Sequence, residues 1–261
     1  MSRPTALVTG ASSGIGLELA TLLAREGHDL VVVARGRERL EDIGKGLHAE
    51  YGATVTVIPR DLADPASPRE AVAEVESRGL SIDVLVNNAG LGVYGFFAET
   101  PLEKELAMIQ VNLVALTELT KRLLPAMLRR RRGRILNVAS TAAFQPGPLM
   151  AAYYATKAYV LSFSEALANE TAGSGVTVTA LCPGPTLTEF QKHAGVGQTR
   201  LFRSPLVLDV AAVALAGYRG MMRGKPVVIP GLGNKVLAQV TRLTPRRLLT
   251  AVARQIQETR K

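Results

Sequence analysis

Residues 5–16 read TALVTGASSGIG, and residues 17–27 continue as LELATLLAREG. Thr5–Thr9 is a short apolar run with β-branched residues, the composition of a buried strand. Gly10, Gly14 and Gly16 follow it. The next stretch carries apolar residues at helical spacing and stops at Gly27, a C-capping residue type. Strand, glycine turn and helix in this order form the setting of a dinucleotide-binding loop. Glycines let the backbone approach a pyrophosphate, and the helix N-terminus offers it free N–H groups and a positive dipole end. The spacing is GxxxGxG and not the more familiar GxGxxG. Taken alone, the loop also reads as a purely structural glycine turn.

The same alternation continues outward from this unit. Apolar runs suited to strands recur at residues 29–34, 54–59, 83–87, 134–140, 176–182 and 226–230, with helix-like stretches between them. Seven such repeats predict a parallel sheet with helices on both faces. At 261 residues the chain fits one doubly wound domain. Residues 231–261 then form a basic amphipathic C-terminal extension of that domain. No run of eighteen apolar residues suggests a membrane span. The N-terminal MSRPTALVTG enters the first strand at once, which leads us to expect a cytoplasmic protein. Cys182 is the only cysteine, so no internal disulfide framework exists, and its place at the end of VTVTALC suggests a packed core thiol. His28, His48 and His193 share no metal-ligand spacing, and no metal is proposed.

Charge is uneven. From Arg219 to Lys261 ten Lys and Arg face one acid, Glu258, so this segment accounts for the whole net charge of +9. The tail interleaves these with Val236, Leu237, Val240, Leu243, Leu248, Leu249, Val252 and Ile256, and Pro245 should break it into two helices. Such a pattern suits weak association with an anionic membrane surface. The alternative is an apolar stripe packed on the body or a second subunit with the arginines in water. A second cluster, Arg129–Arg132 with Arg134, reads as a solvated helix end. No nucleic-acid recognition motif accompanies the basic tail, and nucleic acid is not an expected partner.

Three further features carry chemistry. Tyr153 and Lys157 in AAYYATKAYV stand four apart, on one face of a helix. A nearby cation favours the phenolate, so Lys157 is expected to lower the Tyr153 pKa and ready it for proton exchange with a carbonyl or hydroxyl oxygen. Ser140 ends RILNVAS, at the carboxyl end of a buried strand where ligands of open α/β sheets bind. Asn87–Gly90, NNAG, directly follow the apolar run DVLV.

Together these motifs resemble the short-chain dehydrogenase/reductase family in its single-domain branch, over nearly the whole chain. TGASSGIG is similar to the family's TGxxxGxG, NNAG to its motif after the fourth strand, and Asn112 in IQVNLVA to its catalytic asparagine. Ser140 and Tyr153 are thirteen residues apart, as is usual there, and Pro183, Gly184 and Thr188 in CPGPTLTEF resemble its nicotinamide-side loop. The resemblance implies a doubly wound Rossmann fold, α/β, with seven strands in the order 3-2-1-4-5-6-7. It implies catalysis by Asn112, Ser140, Tyr153 and Lys157. Tyr153 would exchange the proton, Ser140 would polarise the carbonyl, Lys157 would tune Tyr153 and hold the ribose, and Asn112 would anchor a water. Dinucleotide contacts would come from Gly10, Ser12, Ser13, Gly14, Ile15 and Gly16, from Asp61 and Leu62, from Asn88, Ala89 and Gly90, and from Pro183, Gly184, Thr186 and Thr188, besides Tyr153 and Lys157. It also implies a homodimer or homotetramer built through the helices bearing Asn112 and Tyr153.

The cofactor can be read from the residues. Dinucleotide folds usually place an acid at the end of the second strand for the ribose of NAD. Here Ala34 and Arg35 stand there. A guanidinium suits a 2′-phosphate, so NADPH/NADP+ is expected over NADH, with Arg37 or Arg39 assisting. Phe144, Leu149, Met150, Leu187, Phe190, Leu201 and Phe202 either line a pocket for a hydrophobic carbonyl or alcohol, such as a ketone or 3-oxoacyl group, or pack on the core. The expected activity is NADPH-dependent carbonyl reduction or its reverse. A non-catalytic NADP(H) sensor and a peripheral membrane lipid-metabolising reductase are the rival readings.

Overall fold

The computed structural model describes residues 3–196 and 206–258. Its strands are β1 (Thr5–Thr9), β2 (Asp29–Ala34), β3 (Val55–Pro59), β4 (Ile82–Asn87), β5 (Gly133–Val138), β6 (Val176–Leu181) and β7 (Val227–Val228). They form one parallel sheet in the order β3-β2-β1-β4-β5-β6-β7, as expected. Helix α1 (Gly14–Arg25) leads to β2, α2 (Arg37–Tyr51) to β3 and α3 (Ser67–Ser77) to β4. Helix α4 (Leu102–Ile109), a π-helical turn (Gln110–Ala115) and α5 (Leu116–Arg130) connect β4 to β5, and α6 (Ala151–Glu170) connects β5 to β6. Helices α7 (Phe190–Ala194) and α8 (Val210–Met222) precede β7, and α9 (Leu232–Leu243) and α10 (Arg246–Gln257) follow it. Among the described residues no helix is long and apolar enough to cross a membrane.

Successive strand residues point to opposite faces, so each strand feeds two cores. Ala6 and Val8 pack with Leu19 and Leu23 of α1, Leu40 of α2 and Val213 of α8. Leu7, between them in sequence, packs with Val72 and Val75 of α3 and Leu119 and Leu123 of α5. Every residue of β1 is buried, which explains why it reads as a continuous apolar run and not as an alternating one. The basic cluster at the end of α5 is anchored: the Arg130 guanidinium donates to the Ile82 carbonyl at 2.7 Å, and Arg132 pairs with Asp83 at 3.2 Å.

A polar bridge crosses the middle of the sheet. Asn87 and Asn137 are register partners on β4 and β5. Asn87 Nδ2 donates to Asn137 Oδ1 at 2.9 Å and to Thr120 Oγ1 of α5 at 3.0 Å. Asn137 Nδ2 donates to Ser164 Oγ of α6 at 2.9 Å. All four side chains are buried, so the bridge fixes α5 and α6 against the two strands that lead into the site. Replacing Asn137 by Leu would leave Asn87 and Ser164 without this partner, at a cost of about 1–3 kcal/mol. Urea unfolding should show a lower midpoint; an unchanged midpoint would remove the bridge from the stabilising interactions.

Candidate active site

The glycine turn seats α1 directly on the end of β1. Gly10 has φ +64°, and a Cβ there would lie 2.8 Å from Asn88 Nδ2. A Cβ on Gly16 would lie 2.2 Å from the Gly10 carbonyl oxygen and 2.3 Å from Asn88 Nδ2. Asn88 Nδ2 donates to the carbonyls of Thr9 at 3.0 Å and Gly10 at 3.2 Å. Thr9 Oγ1 in turn accepts from the N–H groups of Asn88 and Ala89, each at 3.0 Å. The two motifs quoted from the sequence are therefore one hydrogen-bonded unit, and Thr9 is the linking residue that sequence reasoning missed. Ser13 occupies the N-cap of α1 without a side-chain capping bond, so Gly14, Ile15 and Gly16 begin a helix that no side chain closes.

The remaining dinucleotide candidates lie along the same edge. Arg35, one residue past β2, is exposed and makes no ion pair among the described residues. Arg37 pairs with Glu41 at 3.5 Å and Arg39 with Glu189 at 3.6 Å, so neither is as free to assist as expected. Asp61 Oδ1 accepts from the Ala63 N–H at 3.0 Å, closing a turn; it does not cap α3, whose N-cap is Ala66. Leu62 is buried in the cluster that contains Val33 and Ile58. Beyond β6, Thr188 lies over the glycine turn, since a Cβ on Gly14 would come 3.2 Å from its methyl. Gln191 fixes that loop by donating to the Thr186 carbonyl at 2.7 Å and accepting from the Thr188 N–H at 3.1 Å. A cradle that one Cβ would fill, an uncapped helix N-terminus and an unpaired guanidinium fit a dinucleotide that carries a 2′-phosphate.

The four residues suggested for catalysis converge. Ser140 follows β5 by two residues; its Oγ accepts from the Ala142 N–H at 3.1 Å and lies within hydrogen-bonding reach of the Tyr153 phenol. Lys157 Nζ lies 5.7 Å from the Tyr153 ring centre and donates to the Val138 carbonyl at 2.9 Å. Asn112 sits in the π-helical turn. Its Oδ1 accepts from the Leu91 N–H at 2.8 Å, while its Nδ2 donates to the Leu91 carbonyl and to Thr156 Oγ1, both at 3.0 Å. Asn112 thus ties the segment after NNAG to the first turns of α6. No sequence signal marked the π turn or the part played by Thr156.

The electrostatics correct one expectation. Burial pushes the Tyr153 phenol up to about 12, and the Ser140 hydrogen bond opposes this only partly. Burial also brings the Lys157 ammonium down to about 8. Loss of hydration outweighs charge in this site, and Lys157 directs its ammonium to a backbone carbonyl. Tyr153 is consequently a phenol at neutral pH, the form that can donate a proton. Cys182 is fully buried, and burial pushes its thiol up to about 12, as suits a core residue.

Tyr153 lies in an apolar and aromatic cluster. Its ring is 5.5 Å from Phe190 and 6.0 Å from Tyr154, and Tyr94, Met150 and Val196 belong to the same cluster. Tyr154, next in sequence, packs on Gly147, and burial raises its pKa. Phe144 belongs elsewhere, packed with Phe163, Ile229 and Ala238, and Leu187 is exposed. Leu201 and Phe202 lie outside the described residues. Leu149 takes φ +68°, a left-handed conformation costly for a leucine, where its carbonyl accepts from the Gly95 N–H at 2.9 Å. Two more residues emerge only from the structure. Tyr94 Oη donates to the Gln257 carbonyl of α10 at 2.8 Å, and the side chain of Asn234 lies where a Cβ on Gly184 would be 2.5 Å away.

The family model described as short chain dehydrogenase matches residues 4–198. The chain belongs to this family. The ketoacyl reductase HetN of Nostoc sp. is 36% identical over 69% of this chain and 62% of its own length. A very-long-chain 3-oxoacyl-CoA reductase of Phaeosphaeria nodorum is 36% identical over 66% of this chain and 52% of its own length, so the match spans about half of that relative. A solved short-chain dehydrogenase from Sphingobium yanoikuyae, in complex with NADPH, is 36% identical with a TM-score of 0.81, covering 98% of both chains. At Gly16 the glycine turn of this short chain dehydrogenase leaves no room for a side chain. Gly16→Ala is expected to force the turn apart, cost about 1–3 kcal/mol and abolish dinucleotide binding. Titration of NADPH by fluorescence would check this, and wild-type affinity would contradict the packing described.

Proposed function

We propose that this protein is an NADPH-dependent carbonyl reductase of hydrophobic substrates, with Tyr153 as the proton donor. The observation that carries the reading is a half-buried phenol beside Ser140 and Lys157, at the edge of an apolar cluster and on the same sheet edge as the glycine cradle. The dinucleotide fit described above, and relatives named as ketoacyl and 3-oxoacyl-CoA reductases, support it. Gly10 to Gly16 would hold the pyrophosphate, Arg35 the 2′-phosphate, and Lys157 the nicotinamide ribose. Asp61, Leu62, Asn88 to Gly90, Pro183, Gly184, Thr186 and Thr188 would complete the binding surface. NADPH, when bound, supplies the hydride to the carbonyl carbon.

The protein's own groups supply the rest. Ser140 Oγ donates a hydrogen bond to the carbonyl oxygen and polarises it. Tyr153 Oη then transfers its proton to that oxygen, giving the alcohol. Lys157 keeps two N–H donors beyond its bond to the Val138 carbonyl, enough for the ribose hydroxyls, and its charge stabilises the phenolate left behind. Asn112 acts as a positioning residue for Leu91 and Thr156. With its side chain so engaged, the water expected from the resemblance would have one lone pair of Oδ1 to use.

Tyr94, Met150, Phe190 and Val196 around Tyr153 favour an apolar group beside the reacting carbonyl, as in a bulky ketone or a 3-oxoacyl chain. A homo-oligomer is supported by the outer faces of α4, the π-helical turn, α5 and α6. There Leu102, Leu106, Val114 and Tyr159 are exposed beside a groove lined by Leu113, Thr117 and Lys121.

Tyr153→Phe should lower kcat for NADPH-driven ketone reduction by roughly 10²- to 10⁴-fold while leaving NADPH binding intact. Undiminished turnover would defeat the assignment. The pH profile has a definite sign. Tyr153 stays protonated until about 12, whereas the Lys157 cation is lost as pH rises through about 8. kcat/KM for reduction is therefore expected to be flat near neutrality and to fall on the alkaline side of about 8, and a rise there would contradict the reading. Arg35→Ala should weaken NADPH by roughly 10- to 100-fold and leave NADH little changed, the loss expected for one charged hydrogen-bond set. Equal losses for both cofactors would show that Arg35 does not read the phosphate.

A further inference from the structure

The two C-terminal helices dock on the body by the sides that carry their smaller and polar residues. On α9, Asn234, Ala238 and Thr241 are buried, with Ala238 in the cluster of Ala143, Phe144 and Ile229. On α10, Leu249, Ala253 and Gln257 are buried. Apart from Leu249, the larger apolar residues are turned outward. Leu232, Val236, Val240 and Leu243 are 78%, 55%, 50% and 89% exposed and form one stripe, on roughly the opposite side of α9 from its buried residues. Leu248, Val252 and Ile256 form a second exposed stripe on α10. Surface helices ordinarily turn such stripes toward the core, so this pair is inverted.

Charge indicates what covers the stripes. The segment from Arg219 carries ten basic residues against one acid, and that acid, Glu258, is already paired with Arg254 at 2.9 Å. Lys235, Arg246 and Arg247 are exposed on the same helices. A second copy placed here would set this excess charge against itself, which is repulsive. An anionic bilayer offers acyl chains for the stripes and negative headgroups for the flanking cations. Phe96, half exposed, lies under the Arg254 guanidinium at 5.4 Å beside the exposed Phe97, adding aromatic surface next to the end of α10.

We propose that α9 and α10 form a docking surface for anionic lipid bilayers. The proposal does not depend on the reductase reading, because vesicle binding is measured without turnover. The full chain would be floated with phosphatidylcholine vesicles, with and without phosphatidylglycerol, at low and high salt. Two variants would be compared, Val240→Asp with Leu243→Asp, and Arg246→Glu with Arg247→Glu. All four positions are exposed, and circular dichroism would verify that each variant is folded. Wild type should float with the anionic vesicles at low salt and at least tenfold less without phosphatidylglycerol or at high salt. Each variant should bind at least tenfold more weakly. Failure of wild type to bind anionic vesicles at low salt would overturn the proposal. So would binding indifferent to headgroup charge, or unaltered binding by the aspartate variant. If wild type ignored vesicles and the aspartate variant dissociated an oligomer, the face would belong to a second copy and the proposal would likewise fall.

Discussion

Seven strands that run the same way must end on the same edge, and the rest of this molecule follows from that constraint. The glycine turn leaves β1, Arg35 leaves β2, Asp61 lies beyond β3, Asn88 to Gly90 leave β4, Ser140 lies beyond β5 and Pro183 lies beyond β6. Residues scattered over most of the chain are thereby brought to one rim, where hydrogen bonds such as those from Asn88 to Thr9 and Gly10 then lock neighbouring loops together. The crossover helices are needed to return the chain to the other edge, and they cover both faces of the sheet as they do so. Tyr153 and Lys157 are the exceptions that complete the set. They ride on α6, tied to the rim through the Val138 carbonyl and through Thr156.

Within that rim, desolvation decides the chemistry. A cation at 5.7 Å from a phenol ring would, in water, make the phenol more acidic. Here Lys157 is buried and Tyr153 half-buried, and loss of hydration pushes each toward its neutral form. The tyrosine retains its proton and the lysine holds its own less tightly. This arrangement suits the proton donation proposed for Tyr153. Nothing in a list of residues four apart conveys this, because the sign of the effect is set by what surrounds the pair.

Much of the architecture is legible in the sequence. Buried parallel strands are continuous apolar runs, and β1, β2 and β6 stand out for that reason. Strand ends were read less well: the run at 134–140 is a strand only to Val138, because the backbone must leave the sheet to bring Ser140 to the site. The run at 226–230 pairs over two residues only. The candidate site residues are legible because they fall in short motifs at strand ends, such as TGASSGIG, NNAG and the Tyr153/Lys157 pair. Their supports are not. Thr9, Thr156, Gln191 and Asn234 look like any polar residue until folding sets them beside a particular backbone group. The apolar periodicity of the tail was also visible, but its direction was not, since a helical stripe looks the same facing inward or outward.

The short seventh strand has a consequence of another kind. A sheet edge displays unpaired backbone groups, and a long flat edge recruits strands from neighbouring molecules. Here β7 offers only Val227 and Val228, bracketed by Pro226 and Pro230, and proline has no amide hydrogen to give to an incoming strand. The sheet closes on a blunt margin. On this side, crowding many copies together provides no template for the stacked strands from which fibrous aggregates grow.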